Sequence, residues 1–225
     1  MIFYIIPVWL PDIPVWRNEL RAYTRMAVNS IRQFTHPERY SIVLVANGTD
    51  VGYLLDIGAD HIVYLPENKG YAGGVNAGVK SILPSASLDD VLVVANNDIE
   101  LVSPPDLMIE TAKDGAAVSA HLATKGKPLP PNVIAPATPQ TMFGALWAIP
   151  VHIWHEVGGL DEGYTFGMWE DRDLWMRIQT VGYPLYRAGV CYHVGNATFG
   201  KLTDWAKWFE VNKKRFIAKW GQENV

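Results

Sequence analysis

Short apolar runs rich in β-branched residues, separated by helical segments, restrict this chain most. Ile2 to Val8 is such a run, broken by Pro7 and followed by Pro11. Tyr40 to Ala46, His61 to Leu65 and Val91 to Ala95 are three more. Bounded by turn signals, runs of this length read as buried strands. A helix is expected from Val15 to Phe34. Leu20, Ala27, Ile31 and Phe34 lie near one face, with Arg17, Glu19, Arg21, Arg25 and Arg32 largely elsewhere. Asn47 to Asp50 is a turn signal, and Val51 to Ile57 reads as a short helix closed by Gly58. The alternation predicts an α/β fold, a mostly parallel central sheet with helices on both faces.

The second half is less regular. Pro105 to Lys113 reads as a helix with proline at its start. Ala116 to Leu122 and Thr141 to Ile149 read as strands, and Val151 to Val157 as a short helix. Between the two strands, Ala123 to Gln140 is proline-rich and without period, so it reads as a long loop. Leu174, Ile178 and Val181 recur at helical spacing until Gly182 and Pro184 stop them. Leu185 to His193 supplies one or two short strands. Thr203 to Trp220 reads as a helix with Thr203 as candidate cap, docked on the sheet through Trp205, Trp208, Phe209, Phe216 and Trp220. Its Lys207, Lys213, Lys214, Arg215 and Lys219 are expected in solvent. Contact with an acceptor or a membrane surface is the alternative for this basic helix.

With 225 residues, 49% of them hydrophobic, one domain over residues 1–225 can bury a complete core. The net charge of −4 argues against a broad nucleic-acid surface, though not against a local basic patch for a diphosphate. The single cysteine, Cys191, excludes an intramolecular disulfide and fits a reducing compartment, so a cytoplasmic setting is expected. Met1 to Leu10 is apolar but too short for a membrane span.

Ligands of such sheets bind beyond the carboxyl ends of the strands. The polar and glycine-rich sequence sits there. Asn96-Asn97-Asp98 follows the apolar run Val91 to Ala95, and a carboxylate with two amides suits a hard cation shared with diphosphate oxygens. It also suits a plain turn. Asn68 to Gly78 holds four glycines at a strand-to-helix junction, which allows close backbone approach to an anion or tight helix packing. Glu170, Asp171 and Asp173 fall in the first turn of a helix behind a glycine-rich loop. Acids there complement the helix dipole and need no further purpose. His193 ends a strand, where it is a structural residue or a metal ligand.

Taken together, three stretches resemble the family 2 glycosyltransferases of the GT-A fold, closest to the rhamnosyltransferase-like members. Asn68-Lys69-Gly70-Tyr71-Ala72-Gly73-Gly74-Val75-Asn76-Ala77-Gly78 is similar to their Asn-x-Gly-aromatic-x-x-Gly-x-Asn-x-Gly segment. Asn96-Asn97-Asp98 resembles their DxD-type metal motif, with only the last acid kept. Trp169 to Arg177 resembles their Glu-Asp motif, and Gly158-Gly159-Leu160-Asp161-Glu162 the segment before it. The resemblance runs from Ile2 to about Gly200, in order. It departs at the second strand, where Ala46 stands in place of an acid, with Asn47 or Asp50 as substitutes. The first strand ends in Pro7-Val8-Trp9, where the family has Thr or Ser after the proline.

The resemblance implies an inverting transfer of a sugar from a nucleotide diphosphate sugar, of the UDP or dTDP type, to a hydroxyl of a glycan or glycoconjugate. It implies a nucleotide-sugar half over about 1–100 and an acceptor half over about 101–225. A divalent cation, Mn2+ or Mg2+, is expected on Asp98, with His193 as second ligand. Asp171 is the expected base, and Glu170 orients the acceptor or a neighbouring loop. Pro7, Val8, Trp9, Asn47, Asn68, Gly70, Gly73, Asn76, Asn96, Asn97 and Trp169 are expected around donor and sugar. No nucleic-acid partner is expected. Two rival readings are a non-catalytic nucleotide- or glycan-binding relative and a sugar nucleotidyltransferase. The latter needs a glycine- and arginine-rich loop after the first strand, and Pro7 to Pro14 has none.

Overall fold

The computed structural model describes residues 1–36, 39–195, 197 and 204–225. In chain order the elements are β1 (Ile2–Val8), α1 (Pro14–Phe34), β2 (Tyr40–Asn47), β3 (His61–Leu65), α2 (Gly70–Ile82), β4 (Val91–Ala95), β5 (Ile99–Leu101) and α3 (Asp106–Lys113). They continue with β6 (Ala117–Ala123), β7 (Ala135–Pro136), β8 (Leu146–Pro150), α4 (Val151–Val157), α5 (Glu170–Thr180), β9 (Leu185–His193) and α6 (Trp205–Trp220).

The strands form one sheet in the order β3-β2-β1-β4-β8-β6-β9-β5, with β7 beside β9. The expected mostly parallel sheet holds for the first four strands, which pair in parallel. Beyond them β8 runs antiparallel to both β4 and β6, and β9 takes β5 and β7 antiparallel and β6 parallel. The sheet is therefore mixed. The difference has a physical reason. Long connections between the first strands, with α1 after β1 and α2 after β3, bring the chain back to start each strand from the same end of the sheet. By contrast, β4 turns directly into β5, and the mostly irregular 124–145 stretch lets β8 return antiparallel to β6.

Strand alternation sorts the core into two layers. Ile2, Tyr4, Ile6, Val91, Val93 and Ala95 face α1 and α3, meeting Leu20, Ile31, Met108 and Ile109. Phe3, Ile5, Leu92 and Val94 face α2, α4 and α5, meeting Val75, Val79, Trp154, Leu174 and Trp175. On α1, buried Leu20, Thr24, Ala27, Val28 and Ile31 form one stripe. Its polar side carries Arg21 and Arg25, both paired with Asp56.

Several expected bounds shift. The 51–57 segment makes only a 3-10 turn, Val51–Tyr53, which Asp50 caps by accepting from the Gly52 amide at 2.8 Å. The strand expected from Thr141 starts at Leu146, because Thr141 and Met142 fold back on the Thr138 carbonyl. Leu185 to His193 is a single strand, and β5 is a strand that the apolar pattern did not reveal. Of the loop expected over 123–140, Ala123 ends β6 and Ala135–Pro136 form β7. Thr203, the candidate cap of α6, lies outside the described residues. Among those residues no helix is long and apolar enough to cross a membrane.

The last helix differs in what it packs on. The sheet is not its partner. Its rings meet the segment just before α5: Trp208 lies 5.2 Å from Phe166, and Phe209 and Phe216 lie 5.5 and 5.1 Å from Trp169. Its cations are not all solvated either. Lys219 pairs with Asp173 at 2.7 Å, and Arg215 with Asp161 at 3.0 Å.

Two glycines of α2 set how closely it lies on the sheet. A Cβ at Gly78 would fall 2.5 Å from Ile5 Cγ2 and 2.8 Å from Val45 Cγ2, and one at Gly74 would fall 3.0 Å from Pro7 Cβ. Gly78→Ala should therefore destabilise the fold. Overpacking costs about 1–3 kcal/mol, which outweighs the roughly 1 kcal/mol that alanine gains over glycine in a helix. A urea melt checks this, and an unchanged or raised midpoint would show that α2 can lift off the sheet freely.

Candidate active site

A cavity of about 440 Å³ opens over the carboxyl ends of β1, β2 and β4. Pro7 and Trp9 form one wall, with Asn47, Asn68, Gly70 and Tyr71 beside them. Asn96, Asn97, Asp98 and His193 form the floor. Gly144, Ala145, Phe166, Met168, Glu170 and Asp171 close the far side, with Trp205 and Phe209 at its rim.

The floor is set by backbone pairing. After β4 the chain turns at Asn96-Asn97 and pairs antiparallel with β9, so that Ile99 sits opposite His193. This register places the Asp98 carboxylate 3.1 Å from His193 Nε2. Asn96 Nδ2 lies 3.3 Å from the same nitrogen. The Gly195 amide donates to the other Asp98 oxygen at 3.2 Å, and Asp98 is only 5% exposed. Asn97 is turned back through the sheet layer, donating to Thr24 Oγ1 of α1 at 3.0 Å.

This floor fits a divalent ion. Asn96 Oδ1 is buried without a partner, and carboxylate, imidazole and amide oxygen together suit Mn2+ or Mg2+. Among the described residues no group of three or more His, Cys, Asp or Glu could hold a metal. Asp98 and His193 would thus hold only part of the coordination shell, as is usual where ligand phosphates and water complete it.

The loop at 68–71 is braced from within. Asn47 Nδ2 donates to Asn68 Oδ1 at 3.1 Å and to the Gly70 carbonyl at 2.9 Å, and Asn47 Oδ1 accepts from the Lys69 amide at 2.8 Å. Asn68 Oδ1 also accepts from the Gly70 amide at 2.9 Å. Gly70 has φ of 72°, and a Cβ there would lie 3.1 Å from the Phe166 nitrogen. Only glycine meets both demands. The Tyr71 amide then donates to the Phe166 carbonyl at 2.8 Å, so this loop touches the one leading into α5.

That second loop is strained. Phe166, Met168 and Trp169 all lie in the left-handed region, with φ of 62°, 73° and 75°. Each costs about 1–3 kcal/mol, so surrounding contacts must hold them. The turn delivers Glu170 and Asp171 at the helix start. Burial pushes the Glu170 carboxyl well above its usual range, and the neighbouring Asp171 charge adds to this. Glu170 is 5% exposed and its Oε2 has no partner. Burial also raises Asp171, while the Arg172 and Gly144 amides pull the other way. The Arg172 amide donates to Asp171 Oδ1 at 2.8 Å, and a Cβ at Gly144 would collide with the Asp171 carboxylate. Tyr71 spans the two sides. Its hydroxyl donates to the Gly144 carbonyl at 3.2 Å, and burial with the charges of Glu170, Asp171 and Asp98 raises its pKa well above the usual value.

Asp173 does not face the cavity. It is fully buried and binds Tyr164, Arg177, Lys219 and Trp220, tying α5 to α6.

Eleven of the residues singled out from sequence therefore meet at the cavity: Pro7, Trp9, Asn47, Asn68, Gly70, Asn96, Asn97, Asp98, Glu170, Asp171 and His193. Four do not line it. Val8 is fully buried in the core. A Cβ at Gly73 would lie 2.7 Å from Lys69 Cβ, so that glycine serves a close approach. Asn76 bonds the Leu160 backbone and Glu162, bracing the 158–163 segment. Trp169 packs its ring on Phe209 and Phe216, with the Arg172 guanidinium 5.3 Å over it. Sequence reasoning assigned no site role to Tyr71, Gly144, Phe166, Met168, Trp205 or Phe209. Tyr71 lies inside the glycine-rich segment from Asn68 to Gly78. The aromatics of α6 carried only a burial signal.

Among solved structures, GalNAc-T7 with UDP, GalNAc and Mn2+ matches all of this chain with a TM-score of 0.72 at 15% identity. The mannosyltransferase PcManGT from Pyrobaculum calidifontis, in complex with GDP-Man and Mn2+, matches 96% of it with a TM-score of 0.64 at 15% identity. The fold is that of the GT-A glycosyltransferases. The chain spans 48% and 61% of those two chains. No family model and no curated protein sequence matches it.

The GT-A cavity makes one stability prediction. A carboxyl whose folded pKa is raised contributes its stability below the unfolded value and loses it as pH rises through the folded value. Glu170 is such a group. Glu170→Gln should thus melt above wild type at pH 8, with the two curves converging below about pH 4. Melting temperatures across that range check the sign, and a variant less stable than wild type at pH 8 but not at pH 4 would contradict it.

Proposed function

We propose that the chain is an inverting glycosyltransferase. It moves a sugar from a nucleotide diphosphate sugar, of the UDP or dTDP type, to a hydroxyl of a glycan or glycoconjugate. Its sequence motifs favour a place beside the rhamnosyltransferase-like members of family 2. One observation carries the reading: a single cavity holds the Asp98–His193 pair on its floor and the Glu170–Asp171 pair on its far side. The first would hold the cation that offsets the leaving group's charge, and the second supplies a carboxylate for the incoming hydroxyl's proton. The neighbouring folds that hold UDP or GDP-Man with Mn2+ support the same ligand class.

Asp98 and His193 would hold the divalent cation, with the unpartnered Asn96 Oδ1 beside them. When bound, the cation stabilises the charge that collects on the leaving diphosphate. The 68–71 loop, fixed by Asn47, supports the donor from the β2 side, and Trp9 offers a ring face to the base. Asp171 is the base. As the acceptor oxygen bonds to the anomeric carbon, its proton passes to the Asp171 carboxylate. The bond to the diphosphate oxygen breaks, and its electron pair leaves with the diphosphate. Burial raises the basicity of Asp171, which favours proton abstraction. Glu170, with Oε2 unpartnered, orients the acceptor hydroxyl.

The test uses Asp171→Asn and Asp98→Ala with a panel of nucleotide sugars and Mn2+. Asp171→Asn should keep nucleoside diphosphate and metal binding and lose about 10²–10⁴-fold in transfer rate. Asp98→Ala should abolish the metal-dependent thermal shift given by the nucleoside diphosphate. Transfer by Asp171→Asn within a few-fold of wild type would place the base elsewhere.

A further inference from the structure

We infer that Asn212 of α6 is a positioning residue: it holds residues 165–169 in their left-handed turn and so sets Phe166, Met168 and Glu170 on the cavity. Its catalytic consequence rests on the transferase reading above. Asn212 is fully buried. Its Oδ1 accepts from the Thr165 amide at 3.0 Å. Its Nδ2 donates to the carbonyls of Thr165 at 2.9 Å and Gly167 at 2.7 Å, with Met168 at 3.3 Å. One side chain thus meets four backbone atoms of one loop.

The loop needs such a partner. Three of its non-glycine residues hold left-handed φ, which the backbone alone does not favour. Its own backbone bonds are few: Gly167 to Thr165 at 2.8 Å, Tyr71 to Phe166 at 2.8 Å and Asp173 to Trp169 at 2.9 Å. Ring contacts from Trp208, Phe209 and Phe216 hold side chains but do not fix the backbone turn. Asn is the side chain that offers both an acceptor and two donors at this reach. A merely filled polar pocket would satisfy Asn212 with any neighbours. Here every partner belongs to the turn that delivers the acidic pair.

The experiment compares Asn212→Ala and Asn212→Asp with Trp220→Phe. The last removes the indole bond to Asp173, 2.8 Å in wild type, and leaves the Asn212 contacts in place. Hydrogen exchange of the 165–169 amides should quicken about tenfold or more in the Asn212 variants, with the β1 and β4 amides unchanged. With a nucleotide sugar that wild type turns over, kcat should fall about 10²-fold, as misplacement of reacting groups does. Nucleoside diphosphate affinity in Mn2+ should stay within about threefold, because Asp98, His193 and Asn68 lie outside the turn. Trp220→Phe should lose melting temperature and keep kcat. The inference is overturned if Asn212→Ala keeps kcat within about threefold, if the loop amides exchange at the wild-type rate, or if Trp220→Phe loses as much kcat for the same loss of melting temperature. Should neither Asn212 variant fold, Asn212→Gln, which keeps the amide on a longer stem, is read by the same criteria. If wild type transfers from no nucleotide sugar, the transferase reading falls, and the exchange comparison still decides whether Asn212 holds the turn.

Discussion

The antiparallel step of β5 onto β9 is the constraint on which the site depends. Without it, Asp98 would end one strand and His193 another with no reason to meet. With Ile99 opposite His193, the carboxylate and the imidazole come to 3.1 Å. A one-residue slip would turn each side chain to the opposite face of the sheet. The register is defended on three sides. The Leu101 amide donates to Ser30 of α1 at 3.0 Å, the Val194 amide to the Asp98 carbonyl at 3.1 Å, and Asn97 to Thr24 of α1. The longest helix of the fold thereby fixes the cavity floor from behind the sheet.

The opposite wall is built differently. Glu170 and Asp171 are delivered by a turn that sheet pairing does not stabilise. Asn212 grips the turn itself, the buried Asp173 ties the following helix to Lys219 and Trp220, and Arg215 reaches Asp161 ahead of it. Buried charge is costly unless matched, and Asp173 meets Arg177 and Lys219 as well as two neutral donors. One wall thus derives its precision from the sheet and the other from a helix clamped on a loop. Tyr71 and the Gly144–Ala145 backbone join them, since the Ala145 carbonyl accepts from the Asn96 amide while Gly144 presses on Asp171.

The legible part of the fold was the part with local rules. Strands of five to eight residues between turn signals declare their type, so β1 to β4, α1 and α2 read directly from the chain, while the helix expected over 51–57 is only a 3-10 turn. The direction of β8 and β9 is not encoded locally, and β5 has only three residues, too few to show a period. Asp98 and His193 were therefore readable as strand-end residues, and the resemblance set them on one ion, but the pairing of β5 with β9 that brings them together was not legible. The aromatics of α6 announced burial without saying against what, and the loop before α5 proved to be the partner. Val8, Trp169, Gly73 and Asn76 belonged to motifs whose other members reach the cavity, and each is spent on packing or bracing. Asn212 gave no signal, because a single asparagine in a basic helix looks like any other polar position.

The grip of α6 on the 165–169 turn also divides the molecule thermally. Of α6 only Asn212 and Phe216 are fully buried, so this helix has little apolar area anchoring it to the body of the fold. Segments of that kind open below the global transition, as separate cooperative units. Once α6 lifts, the left-handed turn loses its partners and relaxes toward ordinary dihedrals, and the Glu170–Asp171 wall goes with it. The sheet, the Asp98–His193 floor and both core layers would remain. Warming should then produce a state that is spectroscopically folded yet has only half a cavity, so loss of shape at the site precedes loss of the fold.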